Sequence, residues 1–298
     1  MRKSLLFISL VVLLLSSCQK SIVWDDLVLT PPTTPIILPG GGGTTGSLLT
    51  KIVSLTTADT ITQSFFYDST KKFIEVSSRG ISNHKKKDDT YLFTRDASNK
   101  ITNVVEIVYS TSSLNVSKYD TTYANIHYPF GATKFDYTIN TLTSGGLTYR
   151  DSTYFTYNSE KIVSVKSYTF NSISNSYQFS STKDYTYDLN SNIVTIKVST
   201  SSSNPLNKDI AGDYKFEYDS KKSPLILSNE ALITLGETYY GANNLTKLTL
   251  NITSPQAATV ILVLSYNYNA NSYPTFASGK ATYQGLNSDS QSITYFYQ

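Results

Sequence analysis

Tyr214, Phe216 and Tyr218 alternate with Lys215 and Glu217. A period of two with one polar face is the pattern of a half-buried antiparallel strand. Val194, Ile196 and Val198 alternate in the same way with Thr195, Lys197 and Ser199, while Ile193 stands out of phase. Between such runs lies a short polar segment opened by Asp or Asn. Residues 184–200 read DYTYDLNSNIVTIKVST, 154–168 read YFTYNSEKIVSVKSY, and 64–78 read SFFYDSTKKFIEVSS. Asx side chains hydrogen-bond the local backbone and tolerate left-handed conformations, so each phrase predicts an aromatic strand, a tight turn and an apolar return strand.

The phrase recurs roughly every 30 residues. Its last aromatic falls at Tyr67, Tyr128, Tyr157, Tyr187, Tyr218, Tyr240, Tyr268 and Tyr297, and Arg95 takes that place in LFTRDASNKITNV. Asp68, Asn158, Asp188, Asp219 and Asn269 follow it. About nine hairpins predict an all-β domain over residues 48–298, a large antiparallel sheet of roughly 16–18 strands. A sheet that wide must bury its aromatic face and protect its edges. Closure or near-closure into a barrel does both, and a two-layer β-sandwich is the alternative.

The N-terminus has a different composition. Residues 1–18 read MRKSLLFISLVVLLLSSC. Two basic residues precede an apolar run that is too short to span a bilayer and of the right length for a signal-peptide core. Leu15-Ser16-Ser17-Cys18 resembles the lipobox of bacterial lipoproteins. That resemblance implies a signal peptide over 1–17 and acylation of Cys18, with more than one chain for stable anchoring. Cys18 is the only cysteine in 298 residues, so disulfides, cysteine metal sites and cysteine nucleophiles have no residues to use. Gln19 in place of Asp leans toward the outer membrane. Asp25-Asp26 is a weak acidic signal near the anchor. Residues 18–47 carry TPPTTPIILPGGGGTTGS, an extended and then flexible linker.

The Tyr-Asp-turn phrase resembles the YD repeat of Rhs-type shell proteins. Lipobox, linker and hairpin domain together resemble Bacteroidota lipoproteins with a porin-like fold. The resemblance spans nearly all of residues 48–298. It implies an envelope location and brings no catalytic residues.

Candidate chemistry is sparse. His84 lies in NHKKKDD, which reads as a charged hairpin loop, and His127 lies on an alternating strand. They belong to different repeats, whereas a zinc site needs three or four ligands, so no metal or cofactor is expected. The net charge of +3 comes from scattered residues and gives nucleic-acid binding no support. Asp68, Asp188 and Asp219 could suggest a glycosidase pair, yet each fills the same turn slot. On turn chemistry alone, Asp188→Asn changes stability little and Asp188→Ala costs about 1 kcal/mol. Tyr187 is expected in the core, so Tyr187→Ala costs about 3 kcal/mol. The 24 tyrosines are the most unusual feature: they pack a core, stack on sugars or line an amphipathic cavity. Lys166, Lys197, Lys215 and Glu217, in mid-strand, argue against a lipid-facing wall.

The expected function is that of a lipid-anchored envelope protein of the outer membrane. It is a non-enzymatic binding or structural module whose partner is a glycan, a lipidic ligand or an envelope protein. The alternative is a glycoside hydrolase acting on envelope or other polysaccharides.

Overall fold

The computed structural model describes residues 48–56, 59–82, 85–111, 117–144, 147–201, 211–224, 229, 241–254, 257–283 and 286–298. Cys18, the signal peptide, the linker, Asp25-Asp26, His84 and Tyr240 lie outside the described residues. The sixteen strands are β1 (Leu49–Leu55), β2 (Thr60–Tyr67), β3 (Phe73–Ser82), β4 (Lys85–Arg95), β5 (Ile101–Thr111), β6 (Ser117–His127), β7 (Tyr137–Ser144), β8 (Leu147–Asn158), β9 (Lys161–Asn171), β10 (Ser176–Tyr187), β11 (Ile193–Thr200), β12 (Ala211–Lys222), β13 (Asn243–Ser254), β14 (Ala258–Tyr268), β15 (Pro274–Tyr283) and β16 (Leu286–Tyr297). Each pairs antiparallel with its chain neighbours, and β1 pairs with β16, so the sheet is a closed barrel. The sandwich alternative falls away.

Four turns at one end share a single geometry. Asp68, Asp96, Asp188 and Asn269 each accept, through Oδ1, the backbone N–H four residues on, at 2.8–3.1 Å. The backbone N–H of each donates in return to the carbonyl of that same residue. The residue just before it is left-handed: Lys71, Asn99, Ser191 and Ser272, with φ of 63°, 63°, 69° and 65°. This is a type I turn closed by a left-handed residue, a loop that favours a bulge in the strand that follows.

The bulge is there. Tyr187 pairs with Ile193 but Thr186 pairs with Thr195, which leaves Val194 as the extra residue. Thr50, Ile74, Thr102, Val163, Thr246 and Thr275 occupy the same place in other strand pairs. One extra residue brings positions three apart onto one face. Ile193 therefore points inward with Ile196, which explains why it stood out of phase. Leu49 and Ile52, Phe73 and Val76, Ile101 and Val104, and Leu245 and Leu248 are further pairs of this kind, all buried. Four of the extra residues are threonines whose hydroxyl donates to a partner-strand carbonyl: Thr50 to Phe296, Thr102 to Thr94, Thr246 to Glu217 and Thr275 to Asn267, at 3.1–3.3 Å.

The repeated tyrosine explains itself by its hydroxyl. Tyr67, Tyr187, Tyr218 and Tyr297 of the repeat, and Tyr266 two residues before the repeat's Tyr268, donate to the carbonyls of Leu49, Ile162, Ile193, Pro274 and Leu245 respectively, at 2.6–2.8 Å. Each acceptor is the first inward residue of the preceding strand. Burial pushes the phenols of Tyr67, Tyr218, Tyr266 and Tyr297 well above the usual tyrosine range, so they stay protonated donors. Arg95 fills the corresponding slot with its guanidinium, which donates to the Phe73 carbonyl at 3.4 Å and to that of Asn99 at 3.0 Å. That contact rationalises the replacement of tyrosine there.

The core gathers at this turn end. Ile101, Ile162 and Ile193 have no exposed surface and belong to a cluster drawn from β5, β6 and β9–β14, with a second cluster on β1–β3. A round wall of sixteen strands leaves an aqueous channel. Residues this buried cannot line one, so the inner walls meet here and close the lumen with an apolar floor. Tyr185 is buried at 5% exposure and Tyr187 is half-buried against the same cluster. Towards the other end the inward positions of β4–β8 turn polar, while Leu250 and Val260 keep β13 and β14 apolar. Asp89, Glu106, Asp120 and Asp151 share the inner face by register, and Tyr91 donates to Glu106 Oε1 at 2.8 Å.

Candidate functional site

Two of the predicted site elements change character in the structure. The Lys85-Lys86-Lys87-Asp88-Asp89 run is not a loop: it is strand, the first half of β4. Asp88 pairs with Arg79 across the ladder and Asp89 with Ser78, so the two carboxylates take opposite faces. Asp219 does not open a five-residue turn like those of Asp68 and Asp188, because it lies inside β12.

The carboxylates that could suggest a hydrolase are occupied. Asp188 accepts from the Asn192 backbone through Oδ1 and from Asn192 Nδ2 through Oδ2, each at 2.8 Å. Asp219 accepts the backbone N–H groups of Lys221 and Asn244, both contacts of Asn244 Nδ2, and the Tyr268 hydroxyl. Asp68 uses one oxygen for Thr70 and Lys72. These bonds hold turns and neighbouring hairpins together. His127 Nδ1 meets Asp136 Oδ1 at 2.6 Å on the exposed side of the wall. Among the described residues no group of three or more His, Cys, Asp or Glu could hold a metal ion.

Two regions of the outer wall contrast. On β11–β13 it carries Thr195, Lys197, Asp213, Lys215, Glu217 and Lys247 in mid-strand, by the same register that turns Ile196, Tyr214 and Leu248 inward. Lys247 pairs with Glu217 at 2.7 Å, and Asn251 donates to Asp213 at 3.1 Å. Lys166 lies outward on β9. On β6–β10 the same outward face is aromatic. His127 stacks on Tyr137 with centroids 4.4 Å apart, and Tyr154 follows at 5.5 Å. Tyr168 meets Tyr154 edge-on at 5.6 Å, and Phe179 meets Tyr168 at 5.9 Å. Cross-strand pairing makes the line continuous: His127 with Tyr137, Tyr137 with Tyr154, and Tyr168 with Phe179. Tyr154 is 48% exposed, Tyr123 46% and Phe179 43%.

Sequence reasoning treated the tyrosines as one population. The structure separates them by face: those directly before an Asx turn, and others such as Tyr185 and Tyr214, face inward, while Tyr154 and Tyr168 face outward. The signal was present in phase. In YFTYN, Tyr157 and Phe155 share the inward phase, and Tyr154 is one step off.

No protein-family model and no curated protein matches this chain. Thirteen chains of solved structure do. Two are porin-like proteins, from Bacteroides uniformis ATCC 8492 and Bacteroides vulgatus ATCC 8482. Each superposes with a TM-score of 0.50 and covers 84% of this chain and 98% of its own, at 9% and 11% sequence identity respectively. At such identity the likeness is one of fold: a large closed antiparallel barrel.

Proposed function

We propose that this chain is a lipid-anchored cell-envelope protein of the outer membrane, tethered through Cys18, whose barrel stands in water as a non-enzymatic binding or structural module. The observation that carries the reading is the orientation of the wall. A transmembrane barrel turns an apolar band outward and keeps its interior polar. Here Lys197, Lys215, Glu217 and Lys247 face outward in mid-strand, while Ile193, Phe216 and Leu248 pack inward. A charged side chain on a lipid-facing strand costs about 2–4 kcal/mol at the bilayer midplane, and this wall carries several. The porin-like fold of the neighbours supports an envelope barrel, and the Leu15-Ser16-Ser17-Cys18 context supports an anchor that is not the barrel itself. Strand β1 begins at Leu49, beside the end of β16, so the linker joins the barrel at its closed, apolar floor. The occupied turn carboxylates favour this reading over a hydrolase.

The test is metabolic labelling with palmitate, followed by membrane fractionation. Wild-type protein takes up label and sediments with the outer membrane, whereas Cys18→Ala takes up none and is released. Unlabelled wild type, or a variant retained like wild type, contradicts the anchor. Retention of the variant after carbonate washing would indicate that the barrel itself is inserted.

A further inference from the structure

We propose that the aromatic band on the outer wall of β6–β10 binds a chain of neutral sugars. The proposal rests on the reading of the barrel as a water-facing module and adds a site and a ligand class to it. The devices that build the fold are elsewhere: the hydroxyl-donating tyrosines and the apolar pairs beside the bulges face inward. The outer wall of β11–β13 shows that this barrel stands without outward rings. A water-facing wall that nevertheless exposes Tyr123, Tyr154 and Phe179 to 43–48% carries a patch of the kind that marks an interaction site.

The chemistry of the band narrows the occupant. His127, Tyr137, Tyr154, Tyr168 and Phe179 form one line across five strands, with successive ring centroids 4.4–5.9 Å apart. At ~4.8 Å per strand the line is roughly 20 Å long, the scale of an oligosaccharide rather than a single sugar. Aromatic rings accept the C–H faces of sugars, and their phenol groups reach the hydroxyls. Hydrogen-bonding groups of both charge signs flank the line: Asp136 beside His127, Lys166 paired with Tyr154, and Arg150 exposed on β8. Balanced charge does not suit an anionic polymer or an anionic membrane. The near-absence of exposed aliphatic side chains in the band does not suit insertion into lipid. Beneath the rings lies Ser152, opposite Tyr168 and two residues from Tyr154. It is 2% exposed, and its Oγ has no hydrogen-bond partner. A buried hydroxyl left unpaired under a line of rings is a cost to the free protein, and a hydroxylated ligand that shifts the rings would relieve it.

The full-length chain in detergent is tested by affinity gel electrophoresis against xylan, mixed-linkage β-glucan, mannan and starch. At least one polysaccharide retards wild type. Tyr154→Ser/Phe179→Ser weakens that retardation at least tenfold with an unchanged melt, and Phe276→Ser, an exposed ring on the outer face of β15, leaves it intact. Arg150→Ala, which removes no packing, weakens it about threefold and keeps the test valid if the double variant melts early. No retardation of wild type overturns the proposal, as does equal retardation of the double variant and Arg150→Ala. It is also overturned if the double substitution instead abolishes binding to phosphatidylethanolamine–phosphatidylglycerol vesicles, or abolishes self-association. A protein that is palmitoylated and anchored yet blind to all four polysaccharides sinks this inference and leaves the proposed function standing.

Discussion

Asp188→Asn separates a local turn from a buried network. Turn chemistry alone expects little change, since asparagine accepts a backbone N–H as aspartate does. The structure expects a loss. Asp188 Oδ1 accepts the Asn192 backbone N–H and Oδ2 accepts Asn192 Nδ2, both at 2.8 Å. Asn192 is 1% exposed. Its Oδ1 accepts the Asn243 N–H at 3.0 Å, and its Nδ2 also donates to Asn243 Oδ1 at 3.0 Å. An amide at 188 sets an NH2 group against one of two donors, whichever way it is turned. Asn192 cannot rotate to meet it without abandoning the Asn243 backbone. The loss is one hydrogen bond to a charged acceptor in a buried place, about 2 kcal/mol, or roughly 4–8 °C in melting temperature for a domain of this size. Asp68 supplies the control. Its Oδ1 alone takes Thr70 and Lys72, on an exposed turn, so Asp68→Asn stays within about 0.5 kcal/mol of wild type. Urea unfolding with an unchanged slope measures both. Equal midpoints for Asp188→Asn and Asp68→Asn would refute the network argument.

The hydroxyl of Tyr218 is worth about 1–2 kcal/mol, because Tyr218→Phe leaves the Ile193 carbonyl without its 2.7 Å partner; Tyr154→Phe, on the exposed wall, costs nothing measurable by the same melt. Thr246→Val removes the hydroxyl that holds the bulge and costs about 1 kcal/mol, whereas Thr249→Val, at an ordinary ladder position, stays within about 0.5 kcal/mol. Circular dichroism shows strand with little helix and a single cooperative transition, since every strand is hydrogen-bonded on both sides; two separated transitions would mean that the barrel is not one folding unit.

Much of this fold was legible because its information is local and repeated. The period of two in 214–218 and the Asx residue after each aromatic named strand and turn correctly, and closure followed from edges that needed partners. What was not legible came from one-residue offsets. Ile193 looked like an exception because a bulge is invisible to strict alternation, yet the spacing of Leu49 and Ile52, Ile101 and Val104, and Leu245 and Leu248 carries it once three-residue pairs are sought. The NHKKKDD segment misled because charge density suggests a loop, while Lys85 to Asp89 pair in register along β4. Asp219 looked like another turn aspartate because its local sequence matches, but the connection that follows is much longer and the strand runs past it. The outward tyrosines stayed hidden because composition counts side chains without saying which face they take.

The bulge ties these observations together. Plain alternation from Tyr187 through a five-residue turn would send Ile193 and Ile196 to opposite faces. The extra residue puts both inward directly above the turn, where the first carbonyl of the strand meets the next tyrosine hydroxyl. Bulges also increase local twist and bend the strand that carries them. Seven at the same level, at Thr50, Ile74, Thr102, Val163, Val194, Thr246 and Thr275, curve the wall where the apolar pairs must meet. One feature of the repeat therefore fixes register, aims the core and favours closure of the floor. On β4–β8 the turn end supplies that burial, so the rest of each strand is released from it. The inner face above the floor can carry Glu106 and Asp151, and the outer face can carry ion pairs on β12 and β13 and bare rings on β8 and β10. A wall stabilised at one end in this way can change its outward residues without refolding, which is the condition for a binding surface to be placed there.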